Sequence, residues 1–291
     1  MATVHYFAEM VGATNSSPLS TWMPKLQELL FAAGWTLEYA DADAIGTSAD
    51  PGAPAWDKGP AANTDAGAAV YRMPASSHAT RWFVRVRPGW AAATTRAHMR
   101  GLQVGSAHDG SGNVTGGNSE LVPSIAAMQT DNRTWYVNAS EDGFFFWLGV
   151  GTTADLSVSV ERVRLLAEDV QDDVIAINRF GTFLCDFVSA SAGVTAFNRY
   201  LLLVASNLSS GTAVNTESLF SPHADAWLFQ GPYWPVGNPL TGLPRLWRQA
   251  PLGDVSTGDT VMVNVDGGLK AYQAVSGSYN ATVGLVVVAT E

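Results

Sequence analysis

Thr134-Trp135-Tyr136-Val137-Asn138-Ala139, then Ser140-Glu141-Asp142-Gly143, then Phe144-Phe145-Phe146-Trp147-Leu148-Gly149-Val150 is the stretch on which the fold turns. Two strand-forming runs flank four turn formers, and Asp142-Gly143 offers the left-handed geometry of a tight turn, so the whole reads as a β-hairpin. The run Phe144–Leu148 is apolar on both faces, which predicts a central strand covered on each side. The same chemistry recurs along the chain. Its 291 residues include 10 Trp and 28 Gly, a β-rich signature in which large rings fill sheet faces and Gly serves the turns.

Working outward, the clearest helix begins near Ser20 or Thr21, either of which can cap the first turn, and stops at Gly34. Trp22, Leu26, Leu29, Leu30 and Ala33 form one apolar stripe, and Pro24 falls in the first turn, where a missing amide hydrogen costs little. Trp35, Leu37 and Tyr39 then alternate as in a strand. Asp41–Ala68, dominated by Ala, Gly, Asp and Pro, reads as a long surface loop. Ala69–Met73 and Arg81–Arg87 read as a strand pair joined by Pro74–His78, and Thr94–Val104 as a further strand before the turn-rich Gly105–Asn118.

Beyond the hairpin come Asp173–Arg179, Phe183–Val188 and the apolar run Tyr200–Ala205. The proline-rich stretch from Pro222 to Pro251 holds Trp227, Trp234 and Trp247 and suits an extended arm. Asp259–Val265, Leu269–Val275 and Thr282–Ala289 are three more strands, the first two joined by Asp266-Gly267-Gly268. The expected fold is therefore mainly β: a β-sandwich-like main body with one short N-terminal helix over residues 1–220, an arm or linker over 221–251, and a small C-terminal β module over 252–291.

Hydrophobic residues make up 47% and charged residues 14%, so charge-driven disorder is not expected. The net charge of −10, with Lys only at positions 25, 58 and 270, argues against nucleic acid as a partner. Arg81, Arg85 and Arg87 alternate with Trp82, Val84 and Val86, which places three guanidinium groups on one strand face and suits a salt-bridged protein contact. Cys185 is the only cysteine, so no intrachain disulfide forms, and its apolar surroundings read as a buried inert thiol. The N-terminal residues show no signal peptide, and no apolar run of about 18 residues exists to span a bilayer, so the expectation is a cytoplasmic product with no membrane partner. Sequons at Asn15, Asn113, Asn132, Asn138, Asn207 and Asn280 read as turn and strand composition.

Tyr6-Phe7-Ala8-Glu9-Met10-Val11-Gly12-Ala13, the helix ending in Gly34-Trp35, Trp56-Asp57-Lys58, Ala69-Val70-Tyr71-Arg72, Arg81–Val86 and, more weakly, Arg133–Asn138 form an ordered series. It resembles the N-terminal pattern of virion structural proteins of tailed bacteriophages. Gly253-Asp254-Val255, followed by Gly258-Asp259 and alternating Val, resembles the small β modules with which phage decoration proteins grip a shell. The resemblance implies a structural, non-enzymatic subunit of tail, baseplate, neck or capsid surface. It would be made in the host bacterial cytoplasm and end in the virion, with other copies of itself and other virion proteins as partners. The alternative is a carbohydrate- or receptor-binding module at the tail tip, with a glycan as partner.

The residues assigned to assembly are Tyr6 and Phe7 in the opening, the basic face of Arg81, Arg85 and Arg87, and the arm aromatics Trp227, Tyr233, Trp234 and Trp247. Each has a plain core-packing reading beside it. The motifs of zinc, nucleotide and serine-hydrolase sites are missing, and no cofactor is expected. Asp109, Ser111, Asn113 and Glu120 stand at the first, third, fifth and last positions of a calcium-type loop, although Val114 occupies the place of its Gly and a plain turn competes. Glu141-Asp142 and the cluster Glu168, Asp169, Asp172 and Asp173 offer carboxylates for glycosidase chemistry, with a hairpin turn and a solvated loop as the simpler readings.

Overall fold

Gly34 decides how the chain enters its core. The computed structural model describes residues 6–13, 19–41, 67–75, 80–91, 96–117, 120, 133–148, 157–165, 174–179, 184–189, 193–195, 242–243, 247–249, 259–265, 268–275 and 286–289. In chain order these form β1 (Tyr6–Ala13), α1 (Leu19–Ala32), β2 (Thr36–Ala40), β3 (Ala69–Arg72), β4 (Phe83–Ala91), β5 (Arg96–His108), β6 (Val114–Gly117), β7 (Arg133–Ser140) and β8 (Gly143–Leu148). There follow β9 (Ser157–Leu165), β10 (Val174–Arg179), β11 (Leu184–Ser189), β12 (Gly193–Thr195), β13 (Gly242–Leu243), β14 (Trp247–Gln249), β15 (Thr260–Val265), β16 (Gly268–Val275) and β17 (Val286–Ala289). The architecture is mainly β with one N-terminal helix.

Helix α1 ends in two linked hydrogen bonds, Gly34 N–H to Phe31 O and Trp35 N–H to Leu30 O, each 2.9 Å. Gly34 has φ of 85°, the left-handed conformation that this paired-bond ending requires and that Gly adopts without a Cβ penalty. Trp35 is thereby turned inward. The helix buries Met23, Leu26, Leu29 and Leu30, with Ala33 just beyond its end, together with the polar Gln27, whose Oε1 accepts the Tyr71 hydroxyl at 2.9 Å. Its first residue is Leu19, so Pro24 lies beyond the first turn and the Ser20 carbonyl has no amide partner four residues on. The helix is only 14 residues long; among the described residues no helix is long and apolar enough to cross a membrane.

The first sheet is antiparallel in the order β2-β3-β4-β5-β6. Its inner face carries Tyr71, Trp82, Val84, Val86, Leu102 and Val104, all fully buried or nearly so. Strand β4 runs past Pro88 to Ala91, further than Arg81–Arg87 alone suggested. The register with β5 shifts between Arg87 and Pro88, and at such a bulge a proline removes no ladder bond that a neighbour needs.

The second sheet is built on the meander β7-β8-β9; β1 flanks β7, and β10, β11 and β12 continue beyond β9. Ser140 pairs with Gly143, so the β7–β8 loop is Glu141-Asp142. Phe144, Phe145 and Phe146 are each 0% exposed on a strand between two neighbours, the doubly covered strand that the run implies. Phe144 and Phe146 join Val137, Ala139, Val158, Val160, Ile175 and Ile177 in the same buried cluster as the helix and the first sheet. Strand β9 was not anticipated, although Ser157-Val158-Ser159-Val160 alternates as a strand should.

The β7–β8 turn differs in mechanism from the sequence expectation. Gly143 is not in the left-handed region, which among described glycines is adopted at 34, 67, 110, 112 and 116. Its requirement is close approach: a Cβ there would collide with the Val160 carbonyl oxygen and the Glu161 Cα.

The third sheet, β14-β17-β16-β15, contains the three tail strands and one more. Trp247, assigned to the arm, opens β14 and pairs with Val288 of β17, because Trp247-Arg248-Gln249 lies clear of Pro244 and Pro251 and keeps its amides for a ladder. From the same arm, Gly242 and Leu243 pair with Leu165 and Arg164 of β9. Residues 42–66 and 196–241, Tyr200–Ala205 among them, lie outside the described residues.

Replacing Gly143 by Ala should lower stability by about 1–3 kcal/mol, since the obstruction is backbone on a central strand. The check is a fall in urea midpoint without loss of β circular dichroism.

Candidate functional site

The outer side of the first sheet and its β5–β6 turn hold Arg85, Arg87, Asp109, Ser111, Asn113 and Glu120 of the residues that sequence reading singled out, together with the rings of Tyr39, Phe83 and His108. Tyr39 on β2 and His108 on β5 are three strands apart, about 14 Å in a flat sheet. Their ring centroids lie 6.0 Å apart, and those of Phe83 and His108 lie 5.8 Å apart. The β5–β6 hairpin therefore curls back across its own sheet. Its tip rests on Tyr39, whose ring sits where a Cβ on Gly112 would be. Gln103 Nε2 donates to the Val114 carbonyl at 3.0 Å, and Val70 and Val114 are buried.

At one end of this face the Tyr39 hydroxyl donates to Asp41 Oδ1 at 2.7 Å. That hydrogen bond, then burial and the Asp41 charge, raise the phenol above its ordinary 10.0. The second Asp41 oxygen accepts the Ala68 amide at 2.7 Å, while Asp41 N–H donates to Ala68 O at 2.9 Å. Both ends of the Asp41–Ala68 segment are thus tied together at the sheet.

The four calcium-loop residues are not brought together as a cation site. Asp109 Oδ1 accepts the amides of Ser111 at 2.7 Å and Asn113 at 3.0 Å, and Oδ2 accepts Asn113 Nδ2 at 2.7 Å. These donors, the Asn113 side chain first, hold the Asp109 carboxyl below its ordinary 3.8. The loop turns N–H groups inward, whereas calcium needs oxygens. Glu120 is engaged elsewhere: its two oxygens take the guanidinium groups of Arg85 and Arg87, and its carboxylate lies over Gly101. Among the described residues no group of three or more His, Cys, Asp or Glu is placed to hold a metal.

The basic strand face is thereby resolved in part. Trp82, Val84 and Val86 are 0% exposed on the inner side, and Arg85 and Arg87 share one carboxylate on the outer side. Arg81 is exposed and precedes β4. The salt-bridged contact expected of Arg85 and Arg87 is made within the chain. Nothing but the order of the residues could have indicated that Glu120, 35 positions from Arg85, would be the partner.

The remaining candidates are dispersed. Tyr6 is half-buried against the core, and Phe7 pairs through its backbone with Asn138 of β7. Trp227, Tyr233 and Trp234 lie outside the described residues, as do Glu168, Asp169, Asp172 and Asp173. Glu141 is an exposed turn residue, whereas Asp142 Oδ1 accepts Arg162 Nη1 at 3.0 Å and Arg162 Nη2 donates to the Pro74 carbonyl at 2.8 Å. Arg162 is thus a link between the β7–β8 turn and the β3–β4 connection that sequence reading missed together with β9. Cys185 pairs through its backbone with Asn178.

No protein-family model matches the chain. No curated protein matches it either.

Glu120 pairs with two guanidinium groups that are 19% and 29% exposed. Glu120→Gln should cost about 1–2 kcal/mol, between the limits for surface and buried pairs. Chemical denaturation of the variant beside wild type measures it, and the deficit should shrink as added salt screens the two arginines.

Proposed function

We propose that the chain is a non-enzymatic structural subunit of a tailed-phage virion, working through subunit packing in tail, baseplate, neck or capsid surface. The observation that carries the reading is where the phage-like segments lie. Tyr6–Ala13 is β1, paired with Arg133–Ser140 as β7; Ala69–Arg72 is β3; and Trp35, just past the helix, donates its indole N–H to the Ser140 carbonyl of β7. These segments contribute strands to both larger sheets, and Tyr6, Trp35, Ala69 and Tyr71 among them lie in or against one buried cluster.

On this reading the first and second sheets face each other across the shared cluster as a sandwich-like body. The strands β14 to β17 form the C-terminal module, and the arm crosses from one to the other. Low charge, at 14% of residues, suits broad contacts between copies and with other virion proteins. The virion is then the site of action.

Mass spectrometry of purified particles, with labelling of this chain for electron microscopy, tests the reading. The expected result is a fixed copy number per particle at one position in the virion. A chain absent from particles, or one turning over a substrate as a free monomer, would overturn it.

A further inference from the structure

His108 is held on three sides where the β5–β6 hairpin folds back over the first sheet. Its ring meets Tyr39 of β2 with centroids 6.0 Å apart and Phe83 of β4 at 5.8 Å, and its Nε2 accepts the Gly112 N–H from across the turn at 3.2 Å. A ring nitrogen that accepts carries no proton, so the one proton of this neutral imidazole sits on Nδ1. Gly112 is buried against the Tyr39 ring, with φ of 90°. Its amide is shut off from water there, and the His108 lone pair is what satisfies it.

We infer that His108 is a pH-sensitive latch: the neutral imidazole seats the β5–β6 tip on Tyr39, and protonation of Nε2 releases it. Protonation turns the acceptor into a second donor, so two N–H groups face each other where one bond stood. In the seated tip the buried Gly112 amide then has no acceptor, whereas in the released tip water serves both groups. The rings of Tyr39 and Phe83 lose their cover when the tip lifts.

The charged neighbours leave this switch to His108. Glu38 of β2 pairs with Arg72 of β3 at 3.1 Å, Asp41 takes the Tyr39 hydroxyl and the Ala68 amide, and Arg85 and Arg87 of β4 share Glu120. On the turn itself the donors to Asp109, the Asn113 side chain first, hold its carboxyl below the ordinary 3.8, while the bond to Asp41 holds the Tyr39 phenol above the ordinary 10.0. Both groups therefore keep their charge state across the range in which an imidazole titrates, about pH 5 to 8. Asp109 is also the next residue along the chain from His108, so its attraction for an imidazolium persists when the tip lifts and favours neither state. The inference goes beyond the packing reading and does not depend on it.

Amide exchange of full-length wild type, His108→Gln and His108→Leu, followed residue by residue by NMR and corrected for the intrinsic rate at each pH, tests the latch. Gln keeps an acceptor that does not titrate; Leu removes the acceptor. In wild type the protection of the Gly112 amide should fall at least about tenfold between about pH 8 and about pH 5, while Val84 and Leu102 keep theirs. His108→Gln should hold Gly112 protection level over that range, and His108→Leu should leave it low throughout. Without any variant, the His108 ring signals and the Gly112 amide signal of wild type should change together as pH falls. Wild-type Gly112 as protected at about pH 5 as at about pH 8, the result if the faces of Tyr39 and Phe83 hold the imidazolium in place, would overturn the inference. So would an equal fall in His108→Gln, which would assign the titration to another group, or a fall at Val84 and Leu102 matching that at Gly112, which would mean that the whole sheet opens.

Discussion

The indole of Trp35 is the point at which the two larger sheets become one structure. Its Nε1 donates to the Ser140 carbonyl at 2.8 Å across 105 residues of sequence, and its ring meets Phe144 edge to face with centroids 6.3 Å apart. Trp35 immediately precedes β2 of the first sheet; Ser140 closes β7 of the second. A buried indole N–H without an acceptor would cost on the order of 1–3 kcal/mol, so the bond fixes where the β7–β8 turn stands relative to the helix end. Gly34 makes this geometry available by stopping the helix in a left-handed residue. Arg162 repeats the tie nearby, joining the β7–β8 turn to the Pro74 carbonyl.

Around that junction the first sheet divides its labour by face. Trp82, Val84, Val86, Leu102 and Val104 enter the shared core, while the opposite side is covered by its own hairpin and held by charge. The Glu120 carboxylate bridges Arg85 and Arg87, and Asp109 satisfies the amides of its own turn. The second sheet behaves differently. Asn138, Ser159 and Glu161, in rows with Phe145 and Gly143, are 0% exposed, so it carries polar groups on a covered face where each must find a partner.

What was legible in the chain was local. The Phe144–Leu148 strand, the helix stop at Gly34, the β3–β4 pair and the three tail strands follow from periodicity and turn residues within a few positions of one another. Two things needed information that sequence neighbours do not hold. Gly143 answers to the Val160 backbone on the next strand, not to a turn conformation. Glu120 is claimed by arginines on β4, which removes it from the calcium pattern that spacing alone suggested. The short strands β13 and β14 sit in a stretch whose prolines mask them, and β9 was passed over because its alternation breaks at the charged Glu161-Arg162. Of the assembly candidates, Arg85 and Arg87 engage an intramolecular partner on the outer side of the sheet, and Trp247 enters a ladder.

Native-state hydrogen exchange in wild type and Trp35→Phe tests the junction most directly, because Phe keeps the ring and deletes the N–H. If Trp35 unites the sheets, amides of Val84 and Leu102 in the first and of Phe145 and Val160 in the second should open with one free energy. That free energy should fall by the same amount in both sheets on substitution. Loss of protection in one sheet while the other keeps its wild-type value would contradict the account.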